Sequence, residues 1–440
     1  MTHNKPTLLF ILLLFFTTVS CKKTIIPFSN VIELKNSPTS PTDEGLNAFF
    51  DLGSWMGFAL SDDKTTTGFS GPYILGVEHG IWASNNFTSL DLVDENGNSL
   101  LRNLNYSEQN YFPGKLENQI TFEEINLKST LIFTSSKSLI ISTTITNNGN
   151  QNLEFTPQWE GEIFHQIGHF INKDTHLITL MEKGQKIYLN PISDEPFNIY
   201  SDSNKYVVSL KNDNLKPKET KTYSIEIQYH PDQKKPQQTI RKINISKAVE
   251  DNQLRWGKYL EITKNNSLSK DEKLILTKSI CTLINNWRSA AGALKHDGLF
   301  PSYHYKWFQG FWSWDSWKHA VALVKIDAEL AKNQIRAMYD YQNKDGMIAD
   351  CIFRDTTTER HNWRDTKPPL SSWAIWEIYK ETQDTTFLNE MYPKVVNYHN
   401  WWYTFRDYDK DGLCEYGSTD GSLIAAKWES GMDNAIRFDK

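Results

Sequence analysis

Thr222-Tyr223-Ser224-Ile225-Glu226-Ile227-Gln228-Tyr229 alternates polar and apolar residues, and Pro231-Asp232-Gln233-Lys234-Lys235-Pro236 then stops the alternation. A period of two places every second side chain on one face of a strand, whereas the proline-bounded polar run reads as a linker. This junction divides the chain. Toward the N-terminus, Leu139-Ile140-Ile141-Ser142-Thr143-Thr144-Ile145-Thr146 is β-branched and partly alternating, and Asn147-Asn148-Gly149 closes it as a turn. Asn96-Gly97 predicts a hairpin between Leu90-Asp91-Leu92-Val93 and Leu100-Leu101. Many short strands separated by turn residues predict a β-sandwich over residues 45–230.

Beyond the junction the period becomes helical. Residues 231–268 read as a linker containing a helix. Ser269 and Glu272 form a capping-box pattern ahead of an apolar stripe at Leu274, Ile275, Ile280, Leu283 and Ile284. Further helical runs cover roughly 316–341, 370–382 and 387–405, giving about five or six helices in residues 269–440. The fold class expected is therefore multidomain, β followed by α.

The N-terminus reads as an export signal over residues 1–21. Lys5 precedes an apolar run from Leu8 to Phe16 that is too short to span a bilayer. Thr18-Val19-Ser20-Cys21 resembles a bacterial lipobox, so Cys21 is the expected lipidation site and residues 22–44 the tether behind it. Ordinary cleavage nearby is the alternative. The expected location is the bacterial cell envelope, facing the periplasm or the cell surface. Cys281, Cys351 and Cys414 are too few and too widely spaced for a disulfide framework or a zinc pattern; one pair or three thiols both remain open. A net charge of −6 argues against nucleic acid as a partner, and no protein partner is inferred.

Aromatic placement points to a ligand class. Of 15 Trp, 11 fall in the last 160 residues, and three flank one carboxylate in Phe311-Trp312-Ser313-Trp314-Asp315-Ser316-Trp317-Lys318. An indole offers a flat apolar face to a sugar ring and an N–H to a hydroxyl, although core packing uses Trp as well. Asp315 suits paired sugar hydroxyls, or equally a helix N-cap. The polar, proline-closed segment Arg360-His361-Asn362-Trp363-Arg364-Asp365-Thr366-Lys367-Pro368-Pro369 reads as a binding loop or a plain connection. Asp407-Tyr408-Asp409-Lys410-Asp411-Gly412-Leu413-Cys414-Glu415 spaces oxygen ligands as a Ca²⁺ loop does: Asp407, Asp409 and Asp411, the Leu413 carbonyl and Glu415. An acidic turn is the alternative. Trp428-Glu429-Ser430-Gly431-Met432-Asp433-Asn434 carries two carboxylates four apart, but Gly431 breaks a helix between them, so they do not form a catalytic pair.

In order, Leu299-Phe300-Pro301-Ser302, the 311–318 segment, Asn362-Trp363, Thr366-Lys367-Pro368, Met391-Tyr392-Pro393-Lys394, Glu415-Tyr416-Gly417 and Trp428–Asp433 resemble glycoside hydrolase family 63, the bacterial α-glucosidases related to the glucosidase that trims N-glycans. The resemblance implies an N-terminal β-sandwich followed by an (α/α)6 barrel, of which residues 269–440 would be the N-terminal half. It implies an inverting, exo-acting hydrolase of α-linked gluco-oligosaccharides. Asp433 becomes the expected general acid; Trp314, Asp315, Lys318, Asn362, Trp363, Lys367 and Trp428 become subsite residues, and Glu429 a residue that holds substrate or supports Asp433. The Ca²⁺ set matches a site in relatives. The sequence departs from the pattern at Ala435-Ile436-Arg437-Phe438, where many members have Ser-Pro-Arg-Trp. The family's general base lies beyond Asn434, so the expectation is a C-terminally truncated form of a longer chain. The alternative is a non-catalytic carbohydrate-binding envelope lipoprotein.

Overall fold

The computed structural model describes residues 28–436, except 77–78, 168, 173–176, 181–184, 193–195 and 231–242. Cys21 and the expected export signal lie outside these residues, as does most of the 231–244 connection. Among the described residues, no helix is long and apolar enough to cross a membrane.

The β-rich half comes first. An eight-stranded antiparallel sheet runs His169–Asn172, Leu177–Leu180, Gln185–Ile192, Thr220–His230, Ser138–Asn147, Ile125–Ser135, Lys115–Phe122, Leu104–Phe112. The two segments with the clearest alternation are neighbours in it: Ile225 faces Ile141 and Ile227 faces Leu139 across the ladder. Lys115–Phe122 alternates half-buried and buried residues along its whole length, as a sheet wetted on one face requires. Leu153–Glu162 is the hub of a five-stranded sheet, pairing with Ser89–Val93, Lys205–Ser209 and Asp213–Leu215. Phe155 of this sheet meets Tyr223 of the larger one edge to face at 6.1 Å, within a shared core.

The Asn96-Gly97 turn forms, with Gly97 at φ +80 and the Gly97 N–H donated to Asp94 O. Its return arm is short: Ser99 bridges Val93 and the Leu100 N–H donates to Leu92 O at 2.7 Å, while the other edge of Ser89–Val93 pairs with Leu153–Glu162. The described part of the expected tether is likewise tied down. Leu34 is buried, the Asn36 N–H donates to Leu60 O, and the Asn30 N–H to Tyr111 O.

Among the described residues seven α-helices follow: α1 (Ile245–Tyr259), α2 (Lys270–Asn286), α3 (Ser313–Leu323), α4 (Ala328–Tyr339), α5 (Ser371–Thr382), α6 (Thr385–Phe405) and α7 (Leu423–Glu429). The linker helix α1 docks on the β-rich half. Buried Asp51 accepts two bonds from Arg255, at 2.8 and 2.7 Å, and one from the Trp256 indole at 2.9 Å. The capping box at α2 is present in both directions. Its buried stripe is Thr277, Ile280, Cys281 and Ile284, whereas Leu274 and Ile275, expected inside, are exposed. The helical run expected over 316–341 is split: Asp327 caps α4 through the Leu330 N–H. Helices α3, α4 and α5 pack on one another, and α5 on α6. Cys281, Cys351 and Cys414 are free thiols.

Candidate active site

A cleft of about 970 Å³ opens between the two halves of the chain. The two-residue strand Phe311–Trp312 pairs with Cys351–Ile352 and aims the start of α3 into this cleft. Trp314 and Asp315 lie in the first turn of α3. Asp315 is not the cap: that position is Trp312, and no side chain caps it. Burial raises the Asp315 carboxyl above its usual range, against the pull of Lys318 and Lys367. Lys318 does not line the cleft; one turn on, its ammonium sits 3.5 Å from the centre of the Trp314 ring and holds that ring from behind.

The 347–370 segment supplies a buried polar cluster. The Asn362 amide donates to Asp350 Oδ2 at 3.0 Å and to Asp365 Oδ1 at 2.8 Å, and its oxygen accepts the Arg364 N–H at 3.0 Å. Lys367 Nζ lies 3.3 Å from Asp350 Oδ1 and 3.5 Å from Asp365 Oδ2, and it donates to the Trp428 carbonyl. Both carboxyls are raised, Asp350 to about 6 and Asp365 to about 7. Burial is the main cause for each. The Asp433 charge adds to Asp350 and the Asp350 charge to Asp365, while Lys367 opposes both. Asn362 and Lys367 therefore line the cleft, but their polar atoms are committed to the protein.

Helix α7 carries the last wall. Ser422 caps it, and Arg364 reaches the same Ser422 and Asp420 while lying 5.3 Å from the centre of the Trp428 ring. Gly431 then takes φ +66, which turns the chain out of the helix. The two carboxylates of this segment consequently point to different places. Asp433 lines the cleft with Trp314, Trp363 and Trp428. Glu429, expected to hold substrate or support Asp433, does not line the cleft. It is fully buried, paired with Arg406 at 2.6 and 2.9 Å, and it accepts the N–H groups of Gly417 at 2.7 Å and Thr366 at 3.2 Å. Its role is to fix the segment.

The acidic loop lies just before these contacts. Ligand oxygens of Asp407, Asp409 and Asp411 fall within 4.8 Å of one another, and buried Asp407 Oδ1 has no hydrogen-bond partner. Hard oxygen donors converging on an orphaned carboxylate oxygen fit a calcium ion. Glu415 falls outside this cluster, and its carboxylate accepts the Tyr408 N–H at 2.9 Å. Leu413 donates its N–H to Asp411 in the same turn.

Three participants escaped the sequence reading. Asp350 is a lone acid inside the apolar run Met347-Ile348-Ala349-Asp350-Cys351-Ile352, a pattern that itself signals a buried charge. Asp365 lies inside a quoted motif without having been singled out. Arg406 has no local signal, because its partner is 23 residues away.

Residues 308–440 match the family model of the mannosylglycerate hydrolase MGH1-like glycoside hydrolase domain, and residues 37–188 that of the glucosidase YgjK N-terminal domain. A mannosylglycerate hydrolase from Thermus thermophilus is 28% identical over 183 residues, which cover 37% of this chain and 40% of that protein. Mannosylglycerate hydrolase MGH2 from Selaginella moellendorffii is 23% identical over 147 residues, 29% of this chain and 28% of that one. The chain thus spans well under half the length of these curated relatives. A solved structure from human microbiome, provisionally named a kojibiose phosphorylase, superposes with a TM-score of 0.52 at 13% identity, covering 80% of this chain and 56% of that one. At that identity the likeness speaks for the fold. The β-rich half and the helical half each resemble parts of glycoside hydrolases, and the cleft lies where they meet.

Proposed function

We propose that this protein is an inverting, exo-acting α-glycosidase in which Asp433 protonates the glycosidic oxygen. The observation that carries this reading is the placement of Asp433 in the cleft with Trp314, Trp363 and Trp428, while its neighbour Glu429 is withdrawn into a buried ion pair. One carboxyl is thus presented to the ligand and the other anchors it. Asp315, with its raised pKa, is a second cleft carboxyl suited to gripping paired hydroxyls. Trp314 and Trp428 offer ring faces for the non-reducing sugar. Inversion is a single displacement: a water attacks the anomeric carbon from the face opposite the leaving group as that bond breaks, Asp433 gives its proton to the departing oxygen, and a general base across the sugar, expected beyond Asn434, takes the proton of the water. Gluco-oligosaccharides are the proposed substrates, and the names of the curated relatives add mannosylglycerate to the set worth assaying.

Asp433→Asn tests the assignment. The expected result is a loss of hydrolysis of about 10²–10⁴-fold in a protein with an unchanged melting transition. Proton NMR of the first product formed from an α-glucoside should show the β-anomer. An α-anomer would reject inversion, and full activity in the Asn variant would reject Asp433.

We also propose that Asp407, Asp409 and Asp411 hold a structural Ca²⁺, and that Cys21 is lipidated and tethers the protein to the cell envelope. An unmodified Cys21 in the mass spectrum of the mature protein would reject the anchor.

A further inference from the structure

The cleft holds a second aromatic group that the assignment above does not use. Lys306–Phe308 is a single 3₁₀ turn, outside every α-helix and sheet. Trp307 is 53% exposed, although a Trp placed for packing has its ring inside the core. It lines the same cleft as Asp433. Two neighbours hold its ring without covering it: His79 edge-on at 4.9 Å and Lys306 Nζ at 5.6 Å from the ring centre. Behind it, Phe308 packs on Trp312 at 5.5 Å and Trp312 on Phe353 at 5.6 Å, so the turn rests on a row of aromatic rings.

His79 comes from the other half of the chain and takes φ +62, a conformation that L residues seldom adopt outside constrained sites. Arg354 locks the same connection by donating to Gly76 O at 2.7 Å. A wall contributed by the β-rich half and an unburied indole contributed by the helical half therefore face one space. At about 970 Å³ that space sits at the upper end of the roughly 300–1,000 Å³ range of small-molecule pockets.

We propose that Trp307, braced by His79, is a distal carbohydrate subsite that stacks on a further sugar ring of an α-linked oligosaccharide. The inference rests on the glycosidase reading and deepens it: substrate longer than a disaccharide gains affinity through this ring. An indole face suits the C–H face of a pyranose, and Lys306 stands beside it with an ammonium able to donate to a hydroxyl.

Isothermal titration of the full chain carrying Asp433→Asn, which suppresses turnover, with α-1,2- and α-1,4-linked glucose and mannose disaccharides and the matching trisaccharides tests this, and this protein is the unaltered reference for the variants below. The ratio of trisaccharide to disaccharide affinity is the readout. In the unaltered protein the trisaccharide should bind more tightly. Trp307→Ala should reduce that ratio by roughly tenfold, the scale of one aromatic contact, and Trp307→Phe should recover part of it. Because the ring lies outside the core, the melting transition of both variants should stay put. Trp373→Ala, an exposed indole on α5 away from the cleft, is the control and should leave the ratio unchanged. An unaltered ratio in Trp307→Ala, or no gain with length in the unaltered protein, overturns the distal subsite while disaccharide binding keeps the glycosidase reading. Binding of no saccharide at all overturns both.

Discussion

Replacing Glu429 with Ala should unfold the helical half at a much lower temperature. The carboxylate is fully buried, both its oxygens take guanidinium bonds from Arg406, and two backbone N–H groups from separate loops end on it. Breaking a buried ion pair by removing one partner costs about 3–5 kcal/mol, because the other charge stays buried without compensation. Each orphaned amide adds about 1 kcal/mol at the low end of its range, since the vacated volume admits water. A total of about 5–7 kcal/mol is a large share of a domain's stability. For a cooperative unit of 150–250 residues each kcal/mol moves Tm by about 2–4 °C, so the helical transition should fall by roughly 10–30 °C in calorimetry. Pairing Glu429→Met with Arg406→Met should recover much of the loss, because no charge is then stranded. A fall of less than about 3 °C in the single variant would refute the structural role of Glu429. A double variant no more stable than the single one would show that the amide bonds, and not the ion pair, carry the energy.

Two further outcomes follow from the cleft and the acidic loop. The native Asp350 and Asp365 carboxyls, raised mainly by burial to about 6 and about 7, hold protons that the unfolded chain releases near pH 3.9. The native state thus binds more protons, and this contribution is full below about pH 4 and is lost as pH rises through 6 and 7. Asp365→Asn should flatten the decline of Tm between pH 5 and 8, and identical slopes in both proteins would reject the shared burial. Removing Ca²⁺ with a chelator should lower Tm, since an ion present at about 100 times its dissociation constant stabilises the native state by about 2.7 kcal/mol; Asp409→Ala should abolish the response to added Ca²⁺, and a transition indifferent to chelation would reject the site.

The fold was legible where a pattern is local. The alternation at 222–229 and 139–146 locates two strands that turn out to be neighbours, and the Ser269–Glu272 box marks the first residue of α2 correctly. It was less legible where the partner is distant. Nothing in Leu100-Leu101 reveals that the return arm stops after one bridge and one bond, while Leu153–Glu162 supplies the long partner of Ser89–Val93. Leu274 and Ile275 read as core because they are apolar at helical spacing, yet periodicity cannot say which face finds a neighbour. In the site, the sugar-binding character of Trp314 and Asp315 could be read from an acid among indoles in one short segment, whereas Asp433 and Trp428 follow from the family resemblance, because composition alone leaves their segment a charged helix end. The uses of Asn362 and Lys367 could not be read, and of the two roles expected for Glu429 its buried ion pair agrees with support of Asp433 and not with holding substrate. Each is polar and lies in or beside the cleft, and only the distances show that its hydrogen-bonding capacity is consumed by Asp350, Asp365 and Arg406.

Those consumed side chains explain how one short segment is held still. Asp433 is exposed and lies beyond a glycine at positive φ, a position with little rigidity of its own. Its anchorage is carried by Glu429 four residues earlier. Glu429 is pinned by Arg406, Arg406 is the residue before Asp407, and the Glu415 N–H returns to the Arg406 carbonyl. The acidic loop and the acid are therefore two ends of one covalent and hydrogen-bonded path. A cation bound by Asp407, Asp409 and Asp411 would relieve the repulsion of three clustered carboxylates and fix Arg406, and through it the backbone that presents Asp433. On this path a misplacement of about 1 Å at Asp433 is enough to cost about 10²-fold in rate. Loss of Ca²⁺ should then lower kcat at temperatures well below the melting transition, with KM for the same substrate less affected. If kcat holds in the chelated protein until the transition itself, the loop stabilises the fold without positioning the acid.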